Sequence, residues 1–106
     1  MIGGYFMTKI IKHKNKNETI EYLIRELNLW EDFDKLCMVL IENMDAQVLQ
    51  EIDGIYIRRW LFELNEIKFY LIHDNHFGNF AYTLSQTEND NILLKKILDK
   101  LLDYIS

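Results

Sequence analysis

The sequence predicts an α+β fold in two layers, an antiparallel β-meander of three to four strands packed against helices. Three observations carry that prediction. Residues 55–64 and 67–72 flank Asn65-Glu66, a suitable two-residue turn, and pairing them sets Leu64 against Ile67, Phe62 against Phe69 and Trp60 against Leu71 on one face. The same ladder sets Glu63 against Lys68 on the other face, an attractive cross-strand pair. A second turn around Asn75-His76-Phe77-Gly78 would bring Phe80, Tyr82 and Leu84 to the Trp60 face, so that one register collects nine large apolar residues. Elsewhere the apolar residues recur with the helical period.

Taken in order, residues 1–16 form a basic N-terminal segment, in which residues 5–12 fit an edge strand or a mobile arm equally well before a polar connector at residues 13–17. Residues 18–28 are predicted as a helix, with Asn17 as N-cap and Ile20, Leu23, Ile24 and Leu27 as its buried stripe. A second helix over 31–44 follows from Phe33, Leu36, Cys37, Leu40, Ile41 and Met44, and the two make an N-terminal helix pair. Residues 45–52 suit either a helical extension or a strand ending at Asp53-Gly54, a type I′ hairpin signal, and the strand is preferred. The alternation then requires a bulge at Arg58-Arg59, because Ile55 and Ile57 fall on the face opposite Trp60. A last helix over 88–105 begins at a capping box (Ser85 with Glu88, or Thr87 with Asp90) and carries Leu94, Ile97, Leu98, Leu101, Leu102 and Ile105 on one stripe.

A chain of 106 residues is one domain, 1–106, large enough to bury about 60–70% of its unfolded surface. Hydrophobic content of 49% and aromatic content of 13% argue against disorder, and the absence of proline argues against flexible linkers. Cys37 is the single cysteine, so no internal disulfide forms, and its apolar neighbours suggest a buried thiol in a reducing compartment. The longest apolar run, residues 37–41, is too short to span a bilayer, and residues 1–7 lack the basic start and cleavage site of a signal peptide. The expected location is the cytoplasm.

The net charge of −5 is unevenly spread. Lys9, Lys12, Lys14 and Lys16 crowd the start, whereas Glu26 to Asp53 carries eight carboxylates against the one Lys35. That balance disfavours nucleic acid, whose phosphates need a basic stripe, and favours either a solvated surface or a face for a basic partner.

Few residues suggest chemistry. His73-Asp74-Asn75-His76 has the types for a metal site or an acid/base pair, but it lacks further ligands and equally suits a polar turn. Arg58-Arg59 could clamp an anion, although a structural ion pair explains it better. Cys37 lacks the electropositive setting of a nucleophile, no glycine lies in a phosphate-cradling pattern, and Tyr56, Trp60, Phe62 and Tyr82 suit core packing better than base stacking. No cofactor, metal or catalytic residue is expected.

In its size, its scarcity of glycine and proline, its acidic segment from Glu26 to Asp53 and its aromatic meander, the whole chain resembles the small acidic α+β immunity proteins that bacteria encode beside toxins, including those of contact-dependent inhibition systems. The resemblance implies a non-catalytic protein that binds one nuclease-like toxin domain. Weighed with the charge pattern, the expected function is neutralisation of such a toxin by blocking its basic active-site cleft. The expected contact residues are Glu26, Trp30, Glu31, Asp32, Asp34, Glu42 and Asp45, with Trp30 either an anchor or a core residue closing its turn. The alternatives are a small hydrolase using His73 and His76 with Arg58 or Arg59, and a homo-oligomeric regulatory module; the oligomeric state is open.

Overall fold

The structure, a computed structural model, describes residues 9–105. Eight elements follow in order: β1 (Ile10–Lys14), β2 (Ile20–Ile24), α1 (Trp30–Glu42), β3 (Gln47–Asp53), β4 (Ile57–Leu64), β5 (Ile67–Asp74), β6 (Gly78–Thr83) and α2 (Glu88–Ile105). The strands form one antiparallel sheet in the order β1-β2-β6-β5-β4-β3. A four-strand meander thus forms its main body, and the β1–β2 hairpin extends it at the β6 edge. The fold is α+β, with more strands and one helix fewer than the sequence predicts.

The central hairpin has the expected register: Leu64 faces Ile67, Phe62 faces Phe69, Trp60 faces Leu71 and Glu63 faces Lys68. Its turn places Asn65 at φ 53° and Glu66 at φ 67°, the pair of left-handed residues that a type I′ turn requires. β3 is a strand, as preferred, but its irregularity lies between Val48 and Gln50, while Arg58-Arg59 continues the β4–β5 register without a bulge. Asp53 pairs with Arg58, and the Gly54 N–H donates to the Ile57 carbonyl at 2.8 Å, so the connection is longer than a two-residue hairpin turn. Ile55 and Ile57 therefore stay outside, and Arg58 takes the inward position.

Residues 18–28 are not a helix. Ile20, Tyr22 and Ile24 alternate toward the core as β2, because Asn15 organises a hairpin by accepting the N–H groups of Asn17 and Thr19 at 2.8 and 3.0 Å. Over so short a stretch Ile20 and Ile24 fit both periods, and pairing with β1 and β6 selects the one that turns Tyr22 rather than Leu23 inward. Residues 10–14 form the edge strand β1, which takes in His13 and Lys14 of the expected connector; residues 1–8 of the basic segment lie outside the described residues.

The last strand has the opposite facing from that expected. Asp74 pairs with Gly78 across a three-residue turn, which sets Leu71 against Ala81 and Phe69 against Thr83. Phe80 and Tyr82 consequently leave the Trp60 face, since strand side chains alternate with period two and a one-residue change reverses them all. Asn79, Ala81 and Thr83 replace them, all buried, and their small size lets the helices approach β6.

Both helices lie on this one face. Phe33, Leu36, Cys37 and Leu40 of α1 and Leu94, Ile97, Leu98 and Leu101 of α2 close over Tyr22, Ile24, Phe62, Phe69, Leu71 and Ala81. Thr87 caps α2 by accepting the Asp90 N–H at 3.2 Å, one half of the predicted box. Among the described residues no helix covers the other sheet face, where Leu23, Leu61, Tyr70, Phe80 and Tyr82 are half-buried. No helix among them is long and apolar enough to cross a membrane.

Candidate functional site

Three connections converge at one end of the sheet: residues 25–29 before α1, 54–56 between β3 and β4, and 75–77 between β5 and β6. The Asn75 N–H donates to the Tyr56 carbonyl at 3.1 Å, tying two of them together. Asn79, 1% exposed, ties in the third by donating from Nδ2 to the carbonyls of Leu27 and Leu29 at 2.8 and 3.2 Å. Because that amide nitrogen is committed, Asn79 Oδ1 is the acceptor for His73 Nδ1, 2.8 Å away. Gly78 stands at φ 81°, and a Cβ there would meet Asn28 Cβ at 2.7 Å, so the loop before α1 seats directly on it.

Beneath these loops Arg58, 7% exposed, crosses from β4 to α1. Its Nε donates to Asp53 at 2.9 Å and its Nη1 to Asp34 at 2.8 Å. The guanidinium carbon lies 5.1 Å from the Trp30 ring, 4.6 Å from Phe33 and 5.9 Å from Trp60. Burial opposes the Arg58 charge, but the hydrogen bonds it donates to Asp53 and Asp34 outweigh that and raise its pKa. The same Arg58 hydrogen bond, helped by one from Trp60 Nε1, holds the Asp53 carboxyl below its ordinary range.

The surface above is both acidic and apolar. Glu26, Glu31, Asp32, Asp34, Asp53 and Asp74 belong to these loops or the adjoining element ends, against Lys9, Arg25, Lys35 and the buried Arg58. Among them stand Ile55 at 80% exposure, Phe77 at 75%, Tyr56 at 69% and Leu29 at 59%. Sequence reasoning passed over this cluster; its one legible signal is the presence of apolar residues inside turns beside Gly54 and Gly78.

The expected contact residues divide. Glu26, Trp30, Glu31, Asp32 and Asp34 gather at this end, whereas Glu42 and Asp45 lie at the far end of α1, about 18 Å along its axis. Several already have work inside the fold. Asp32 accepts the Leu29 N–H at 3.0 Å, capping α1 where Leu29 offers no side-chain acceptor, and Asp34 holds Arg58. Trp30 is half-buried with its ring against His73, centroids 5.3 Å apart and planes at 80°. Glu26 and Glu31 are exposed.

The residues considered for hydrolysis separate as well. His73 is 2% exposed beside Arg58 in the β4–β5 register, while His76 sits on the outer turn against Phe77. Arg58 is bound to carboxylates, and Arg59 lies on the opposite sheet face over Tyr70, 5.2 Å from its ring. No three His, Cys, Asp or Glu among the described residues are grouped to hold a metal ion. Burial pushes the Cys37 thiol far above its ordinary range. At the opposite end of the sheet Glu63, Glu66, Lys68, Leu84, Ser85 and Asp90 line an open groove of about 440 Å³. Compared with family models, curated proteins and solved structures, the chain matches none.

Proposed function

We propose that the chain is a non-catalytic binder of a basic protein, an immunity protein that blocks the positive active-site cleft of a nuclease-type toxin domain. The observation that carries this reading is the collection of carboxylates from α1, β3, β5 and the loop before α1 at one end of the molecule. A nuclease concentrates positive potential where its phosphate substrate lies. An acidic surface of matching shape can fill that cleft and exclude the substrate, with complementary fields accelerating the encounter. Internal ion pairing leaves Glu26 and Glu31 as the informative positions, since Asp32 and Asp34 also hold α1 and Arg58 in place.

The test is affinity capture from the native host, directed at the product of the adjacent upstream gene. A basic partner should associate at a rate that falls with added salt, and Glu26→Lys with Glu31→Lys should slow that association at low salt. An acidic partner, or an unchanged rate in the double reversal, would overturn the proposal.

A further inference from the structure

The side chains of Ile55, Tyr56 and Phe77 stay outside the core formed by the described residues. Turns are commonly built from Gly, Asn, Asp and Ser, which supply the required backbone conformations and are soluble. Here the most exposed large apolar side chains among the described residues stand on two adjacent turns, at a cost in solubility. The turns are also stiffened. Asp74 Oδ1 accepts the N–H groups of His76 and Phe77 at 2.7 and 3.3 Å, and the two turns share the Asn75 to Tyr56 hydrogen bond. Apolar groups held in place before contact lose little freedom on binding, which favours affinity.

Building on the proposed function, we propose that Ile55, Tyr56 and Phe77 are the anchors of its interface and insert together into an apolar depression bordered by cationic groups on a basic protein. The occupant follows from the charge around them. Asp34 and Asp53 share the one cation of Arg58, and Glu26, Glu31, Asp32 and Asp74 outnumber Lys9, Arg25 and Lys35 at this end, a net negative balance that disfavours acidic proteins and anionic lipid surfaces alike. An apolar centre within a charged rim is the usual division of labour at a protein interface: the centre supplies lasting affinity, and the rim steers.

The experiment is an NMR titration of the isotopically labelled chain with a capped peptide alternating arginine and leucine, its glutamate-leucine counterpart, and vesicles containing anionic phosphatidylglycerol. The cationic peptide should shift amides at residues 54–56 and 75–77. The variant Ile55→Ser with Phe77→Ser, both exposed and so expected to keep its wild-type spectrum elsewhere, should weaken that binding about tenfold or more. Salt should weaken binding of the cationic peptide to both proteins. If the shifts fall on the uncovered sheet face, or the serine variant binds equally well, the anchors are wrong while a basic partner still stands. If the glutamate peptide binds as tightly, or the cationic one not at all, both this inference and the proposed function fail. Binding to the vesicles through the same residues would make the site a membrane contact and overturn it.

Discussion

Arg58 shows how a single residue links the layers. A guanidinium at 7% exposure needs partners, and Asp53 from β3 and Asp34 from α1 accept from its Nε and Nη1 while three aromatic rings lie within about 6 Å. Neutralising both carboxylates (Asp34→Asn with Asp53→Asn) leaves a buried cation without counter-charge, an expected cost of about 2 kcal/mol in urea unfolding. Arg58→Met retains most of the volume without the charge and should cost less; the reverse order would mean that the ion pairs add net stability. Asp53 also predicts a pH dependence. Its folded pKa lies below the unfolded value of about 3.9, so its contribution is complete above that pH and disappears as pH falls through the folded pKa. Thermal unfolding of wild type and Asp53→Asn should differ by a constant amount near neutrality and converge in acid. Cys37 should resist thiol reagents in the native state and react only on unfolding, because burial disfavours its thiolate.

At the scale of elements, the weakest seam is between β2 and β6, where only Tyr22–Ala81 and Leu23–Phe80 pair. The Gln86 side chain extends that ladder as a surrogate strand. It accepts the Ile20 N–H at 2.7 Å and donates to the Ile20 carbonyl at 3.2 Å. Gln86 itself stands at φ 57°, so Gln86→Gly relaxes the backbone while removing the whole side chain with its amide. The expected result is a net loss of about 1 kcal/mol in urea unfolding, with faster amide exchange in β1 and β2. The β4–β5 turn makes the opposite prediction. Glu66 pays a left-handed penalty at φ 67°, and Glu66→Gly should raise stability by about 1 kcal/mol in the same assay.

Across the whole molecule, one sheet face is packed under two helices and the other is uncovered among the described residues, while opposite charges gather at different places. Lys12 and Lys14 lie on the β1 edge, and Glu51 and Asp53 on the β3 edge. Charged edge strands resist uncontrolled pairing, and the irregularity in β3 adds to this. The acidic end differs from the edges in having a rigid apolar centre. Reversal at Glu26 and Glu31 should lower unfolding free energy by only about 1 kcal/mol, since Glu31 in the first turn of α1 favours the helix dipole, while slowing association, a separation measurable by thermal unfolding beside binding kinetics.

What the amino-acid pattern determined by itself was local. The β4–β5 register follows from matched alternation on both sides of a tight turn, and α1 and α2 follow from long apolar stripes. The acidic segment was visible too, although not which of its carboxylates were already engaged. Tertiary structure decided the rest. Residues 20–24 satisfied two periodicities, and only a neighbouring strand selects one. The facing of β6 depended on one residue in a turn, and the helices above it favour Asn79, Ala81 and Thr83 over Phe80 and Tyr82. The candidate site arises from three loops far apart in sequence, joined by Asn79, the Asn75–Tyr56 hydrogen bond and the close contact at Gly78. Periodicity carries no record of such contacts, because they depend on where the strands end in space.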